Sequence, residues 1–244
     1  MTAAAAPTRQ AVILVGGEGR RLGTITASRP KPLVEVGGVP FLDHLLLRCR
    51  ANGVSRVLLL SGYLSGQIDA YAEDAAARHP DLTVEVSTEP EPLGTAGALR
   101  HAGDRLDPTF FLMNGDSVFD IGWSALTAEA RDDTLAVLAL RPIPEAGRYG
   151  SVTLDGTRIV SFSQDHGRSG PALMNAGLYW MRRDIVAEIG AGPSSLEHAV
   201  FPALAGGGRL LGHVADGHFI DIGIKSDLAR ADRLVPDWND ALAR

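Results

Sequence analysis

Five short strand-like runs alternate with helical patterns through the first 140 residues, and this alternation restricts the fold more than any other feature of the chain. The runs cover residues 11–15, 56–60, 83–87, 109–113 and 135–140. Helical patterns lie between them near 40–52, 65–78, 95–102 and 123–131. Apolar residues in the runs are continuous rather than alternating, as in strands covered on both faces. Such alternation implies βαβ units, so the expected class is α/β with a doubly wound, mostly parallel sheet. Pro40 stands at the expected start of the first helix and Asn52-Gly53 at its end.

The texture changes after Pro142. Residues 149–162 read as two strands joined at Asp155-Gly156, a favourable hairpin turn. A further strand is expected at 172–181, helical patterns near 182–189 and 195–204, a short strand near 219–222 and a last helix from about Ser226. Residues 1–9 read as a disordered tail and 10–244 as a single domain. Its parts are a nucleotide-binding type of half at about 10–141, a β-rich lobe at about 142–215 and a closing segment at about 216–244.

Composition narrows the partners. A formal charge of −6 leaves no basic stripe to track a nucleic-acid backbone. The single Cys49 excludes an internal disulfide and a cysteine metal cluster, and it lies on the apolar face of a helix with Phe41, Leu42, Leu45 and Leu46. A buried, inert thiol is expected. No apolar run approaches the roughly 20 residues that span a bilayer, so no membrane and a cytoplasmic setting are expected.

Only two of the 23 Lys plus Arg residues are lysines, Lys31 and Lys225. Lys31 sits between Pro30 and Pro32, just after a strand and the glycine-rich stretch Gly16-Gly17-Glu18-Gly19-Arg20-Arg21. A lysine is a compact point charge suited to a phosphate oxygen, where arginine is a planar fork. The arrangement suits a polyphosphate. It is neither a P-loop nor a G-x-G-x-x-G dinucleotide fingerprint, because from Gly17 and Gly19 the next glycine is Gly23, one place too far. Asn114-Gly115-Asp116 follows the fourth strand directly, where open α/β sheets bind ligands, and a carboxylate there can coordinate a hard cation such as Mg²⁺. Asp221, flanked by Ile220 and Ile222, needs a partner: a metal shared with Asp116, an arginine or a helix cap. Between Glu89 and Leu99, Gly94 and Gly97 allow close backbone approach and Thr95 can cap a helix. The seven histidines show no metal spacing; His218 alone stands out, three residues before Asp221.

Together these segments resemble the sugar-1-phosphate nucleotidylyltransferase family. Its G-G-x-G-x-R-L and P-K-P appear at Gly16–Leu22 and Pro30–Pro32, and its P-L-G-T-A-G-A-L at Pro92–Leu99, with one extra residue after Glu89. Its N-G-D, N-A-G, S-L-E and D-I-G match at Asn114, Asn175, Ser195 and Asp221, in order. The resemblance implies a Rossmann-like fold with the lobe at 142–215 binding sugar. It implies transfer of a nucleotidyl group from an NTP to a sugar 1-phosphate, with Mg²⁺ as cofactor. Arg21, Lys31 and Asp116 would be catalytic, and Asp116 and Asp221 would hold the metal. Val15, Gly16, Gly17, Gly19, Arg21, Glu89, Leu93, Gly94 and Thr95 would bind nucleotide; Asn114, Tyr149, Gly150, Asn175 and Gly177 would bind sugar. The branch most resembled acts on D-glycero-D-manno-heptose 1-phosphate with GTP; another NTP or hexose 1-phosphate, or a catalytically silent sugar-nucleotide-binding regulator, are the alternatives. A homo-oligomer stays open. The chain departs from the family at residues 162–168, where E-K-P is common and Phe-Ser-Gln-Asp-His-Gly-Arg stands, leaving His166 or Arg168 as replacements. Arg20 and Lys225 are further departures.

Overall fold

The computed structural model describes residues 7–145, 151–163 and 170–242. In chain order, β1 (Gln10–Leu14) is followed by the hairpin arms β2 (Glu35–Val36) and β3 (Val39–Pro40), α1 (Phe41–Ala51), β4 (Arg56–Ser61), α2 (Ser65–Arg78) and β5 (Thr83–Thr88). Next come α3 (Gly94–His101), β6 (Thr109–Asn114), β7 (Ser117–Asp120), α4 (Ser124–Glu129) and β8 (Ala136–Ile143). The remainder is β9 (Ser151–Asp155), β10 (Arg158–Ser163), β11 (Ala172–Arg182), α5 (Phe201–Gly206), β12 (Leu210–Val214), β13 (His218–Asp221) and α6 (Lys225–Leu242).

Nine strands form one sheet in the order β5-β4-β1-β6-β11-β8-β12-β10-β9. Strands β5, β4, β1 and β6 pair in parallel, as do β8 and β12. Only β10 and β11 run against the rest, so the sheet is mostly parallel, as the alternation predicts. The β-rich segment joins the same sheet at its far edge, through the β9–β10 hairpin at Asp155-Gly156. The continuous apolar runs have a direct cause. Ala11 and Ile13 of β1 enter the core that also holds α1, α2 and α6, whereas Val12 enters the one holding α3 and α5. Burying Ile13 completely contributes about 1.5–3 kcal/mol by itself. Cys49 is free and buried, and burial pushes its thiol pKa up, out of nucleophilic range.

Several elements depart from the periodicity. The 182–189 pattern is a 3-10 turn, Arg183–Glu188, and the 195–204 pattern begins as one wide turn, Leu196–Val200, before α5. Pro202 has no N–H to donate to the preceding turn, which widens there. Strand β12 escapes sequence reading because Gly212 interrupts it, and β7 because it follows directly on the turn chemistry of Asn-Gly-Asp. Strand β7 matters for the site: it pairs antiparallel with β13, placing Ser117 opposite Asp221.

Helix α6 is latched onto the β2–β3 hairpin and α1. Gly37 N donates to Asp232 Oδ1 at 2.7 Å. His44 is buried: its Nε2 donates to Val36 O at 2.8 Å, so Nδ1 is the acceptor for Asn239 Nδ2 at 2.5 Å. Burial holds the imidazole below its usual pKa, that is, neutral. A folded-state pKa below the unfolded value of about 6.5 means that the unfolded chain binds the proton first as pH falls. Stability from this latch is therefore full above about pH 6.5 and is lost below it. Urea unfolding is expected to show lower stability at pH 5.5 than at 7.5. His44→Gln should be less stable at pH 7.5 but have a flatter pH dependence; an unchanged slope would show that other groups carry it. Among the described residues no helix is long and apolar enough to cross a membrane.

Candidate active site

A cleft of about 760 Å³ opens at the carboxyl ends of β1, β4 and β6, where parallel α/β sheets present their loops. One wall is the loop after β1, with Val15, Gly16, Gly17, Gly19 and Arg21. The other carries Glu89, Gly94 and Thr95, and the floor Asn114 and Asp116. Residues predicted from four separate segments, the glycine-rich stretch, Lys31, Glu89–Thr95 and Asn114–Asp116, thus share one cavity.

Lys31 anchors the floor. Pro30 and Pro32 hold it at the start of a 3-10 turn, Lys31–Leu33, and it is only 7% exposed. Its Nζ donates to Asp116 Oδ2 at 2.5 Å and lies 3.8 Å from Asp221 Oδ1. A buried ammonium persists only with such counter-charges. The two aspartates, 105 positions apart, are brought together by backbone. Ile222 N donates to Asp116 O at 2.9 Å, continuing the β7–β13 pairing, and Gly223 N donates to Asp221 Oδ1 at 2.5 Å. Gly115 makes the strand-end crossing feasible: its N donates to Leu14 O at 3.0 Å, and a Cβ there would stand 2.4 Å from that same oxygen.

Gly223 marks where the charges converge. A Cβ built on it would lie 2.7 Å from Asp221 Oδ1, 3.1 Å from Arg21 Nη2 and 3.2 Å from Lys31 Nζ. Two cations and a carboxylate therefore border one small space at the cleft edge. The two carboxylates that meet on Lys31, Asp116 and Asp221, are donors suited to Mg²⁺, which takes one or two carboxylates together with substrate phosphates and water rather than an all-protein cage. No cluster of three or more His, Cys, Asp or Glu suited to a metal occurs among the described residues.

Glu89 occupies the opposite end. Its Oε2 accepts from Leu93 N at 3.0 Å, and its Oε1 lies against Gly62, where a Cβ would be 2.4 Å away. Leu93 itself is not a cleft wall: it positions Glu89 through its amide, and its carbonyl accepts from Ser194 N at 2.8 Å. Thr95 does not cap α3, which already begins at Gly94. Its hydroxyl donates instead to Glu197 Oε2 at 3.0 Å and accepts from Leu196 N at 2.9 Å, capping the later turn.

Asn175 and Gly177 lie behind the cleft. Asn175 Nδ2 donates to Tyr179 Oη at 2.8 Å, and its Oδ1 accepts from Gly177 N at 3.1 Å. Gly177 backs onto Asn114 so closely that a Cβ would stand 2.6 Å from Asn114 Nδ2. Tyr149, Gly150, His166 and Arg168 fall outside the described residues. His218 turns away from the site and stacks on Trp238, ring centroids 4.9 Å apart. Sequence reading missed Gly62 and Tyr63 and gave Glu197, the last residue of the S-L-E match, no place in the site; all three line the cleft. Gly62 follows β4 as Gly16 follows β1, so the signal was a second glycine at a strand end.

An open α/β sheet with two cations and two carboxylates at the ends of its strands defines a protein that handles phosphorylated nucleotides. The chain belongs to the nucleotidyl transferase family, whose sequence model matches residues 10–237. It is 34% identical to the mannose-1-phosphate guanylyltransferase of Mycobacterium tuberculosis over 90% of this chain, spanning 62% of that relative's length. It is 29% identical to the D-glycero-alpha-D-manno-heptose 1-phosphate guanylyltransferase of Aneurinibacillus thermoaerophilus, over 92% of this chain and 97% of that one. The crystal structure of HddC from Yersinia pseudotuberculosis superposes with a TM-score of 0.79 at 28% identity, covering 92% of this chain and 98% of the other. The same protein complexed with GMP-PN gives a TM-score of 0.78.

Proposed function

We propose that the protein transfers the nucleotidyl group of an NTP, GTP first among them, to a sugar 1-phosphate, with D-glycero-D-manno-heptose 1-phosphate the leading acceptor. The observation that carries this reading is the convergence of Arg21, Lys31 and Asp221 on Gly223 beside Asp116, in a cleft large enough for a nucleotide. A phosphate oxygen of the sugar 1-phosphate attacks the α-phosphorus, and the bond from that phosphorus to the pyrophosphate oxygen breaks, so one phosphoanhydride replaces another. No covalent intermediate on the protein is needed; its work is alignment and charge compensation. Arg21 would hold the departing pyrophosphate. Lys31, bound to carboxylates in the free cleft, would turn to the reacting phosphates. Asp116 and Asp221 would hold Mg²⁺, which supplies charge neutralisation between phosphates. Glu89 and the glycines beside it would line the nucleoside site.

The heptose reading is supported by the match along nearly the whole length of the Aneurinibacillus relative. A second reading, mannose 1-phosphate as acceptor, is favoured by the higher identity to the mycobacterial relative. Pyrophosphate release should be measured with Mg²⁺ for both sugar phosphates against GTP, ATP, UTP, CTP and dTTP. Release is expected with GTP and one of the two sugars. Binding of a nucleotide sugar without release from any pair would sink the catalytic reading and leave a silent binding protein.

A further inference from the structure

We infer that Glu197 is a binding residue for the sugar, a carboxylate that accepts a hydrogen bond from a ring hydroxyl of the sugar 1-phosphate; this rests on the transferase reading above. Glu197 lines the cleft and is half-buried. Its Oε2 is fully engaged, accepting from Thr95 Oγ1 at 3.0 Å and Ser195 Oγ at 2.9 Å. Two hydroxyl donors on one oxygen fix the rotamer. Among the described residues Oε1 has no hydrogen-bond partner, so one acceptor of an oriented carboxylate is left to the cleft.

The backbone around it is rigid. Ser194 O accepts from Ala96 N and Gly97 N at 3.0 and 3.3 Å, and Ser194 N donates to Leu93 O, zipping the start of α3 to the segment before α5. Gly94, at φ +71°, permits this: a Cβ there would be 2.5 Å from Ser194 O. Such a frame holds a side chain in place without any ligand.

Chemistry assigns the ligand. Phosphate groups are anionic acceptors and are repelled by a carboxylate, so Glu197 does not serve the triphosphate, whose cations are Arg21 and Lys31. What an ionised carboxylate accepts is a donor proton, and each free hydroxyl of a sugar supplies one. Neighbours point to the sugar rather than to the base. The buried Tyr179 packs its ring on Phe201, four residues after Glu197, with centroids 5.3 Å apart, and its hydroxyl accepts from Asn175, which borders Gly177 and Asn114. Glu197 thus links the Thr95 wall to the element that packs on Tyr179 and so toward Asn175, whereas Glu89 lies against Gly16 and Gly62.

The test compares wild type with Glu197→Gln, which keeps the shape and an oxygen for Thr95 and Ser195 but removes the charge. Titration calorimetry measures mannose 1-phosphate, heptose 1-phosphate and GTP separately, alongside turnover. Loss of a hydrogen bond to a charged group is expected to weaken binding of the sugar phosphate about 10- to 100-fold, with GTP affinity within about twofold of wild type. Monodeoxy mannose 1-phosphates should show one position at which wild type discriminates and Glu197→Gln does not. Thr95→Val and Ser195→Ala, which loosen the frame but leave the carboxylate, should show smaller losses. Equal weakening of GTP and sugar phosphate, or no weakening, overturns the inference while wild-type turnover leaves the transferase reading standing. Wild type that neither binds nor turns over any sugar phosphate overturns both.

Discussion

Lys31→Ala is expected to lower kcat by about 10²–10³-fold or more while the chain remains folded. One positioned charge at a reacting group is worth that much in other enzymes, and Lys31 is the cation that touches both aspartates of the floor. Removing it also takes away the ammonium between the Asp116 and Asp221 carboxylates, so their mutual repulsion rises. Because Asp116 keeps a third of its side chain in water, solvent screens that repulsion, and the stability cost should be about 1–2 kcal/mol. Lys31→Arg should not rescue, since a planar fork needs room that a residue 7% exposed does not have. Asp116→Asn should lose turnover to a similar extent without loss of fold. Steady-state pyrophosphate release and thermal unfolding on the same preparations separate the effects. Turnover near wild type in either variant would remove these residues from the reaction.

Gly115→Ala is expected to damage the fold and the site together. The added carbon would meet Leu14 O at 2.4 Å, and that oxygen cannot retreat because β1 is held by parallel pairing on both sides. Overpacking of this kind costs about 1–3 kcal/mol. Relief can come only by moving the turn outward, which carries Asp116 away from Lys31, so activity should fall together with stability. Gly66→Ala in α2 is the comparison: nothing lies within 4 Å of its Cβ position, and alanine favours the helix by about 1 kcal/mol. Denaturant unfolding of both variants checks the contrast; equal midpoints would show that the β1–β6 crossing is soft.

Local patterning carried much of the fold. Strands β1, β4 and β6 begin and end within one residue of the apolar runs, because a strand buried on both faces must be apolar throughout; β5 does so too, although it is a partly exposed edge strand that carries Glu85. Helix α2 coincides with its pattern, 65–78, for the corresponding reason. Where one-dimensional signals failed, a non-local contact decided. The sequence at 117–120 becomes strand β7 through its pairing with β13, about 100 residues later. Thr95 looked like a helix cap because its local chemistry suits one; a carboxylate 102 positions away took its hydroxyl instead.

The site divides along the same line. Gly16, Glu89 and Asp116 were legible because each stands within two residues of a strand end, and strand ends in a parallel sheet share one edge; Arg21 and Lys31 were legible from the glycine-rich stretch and the flanking prolines. Their types were legible too, since a chain with two lysines that holds one between prolines has a use for a point charge. Tertiary structure alone decided that Asp221 meets Asp116 on Lys31, that Leu93 supports Glu89 rather than facing the cleft, and that Glu197 enters it. The physical reason is range. Periodicity and capping are set by residues a few positions apart, whereas distances between charges 100 residues apart are set by which strands pair and which glycines let them cross.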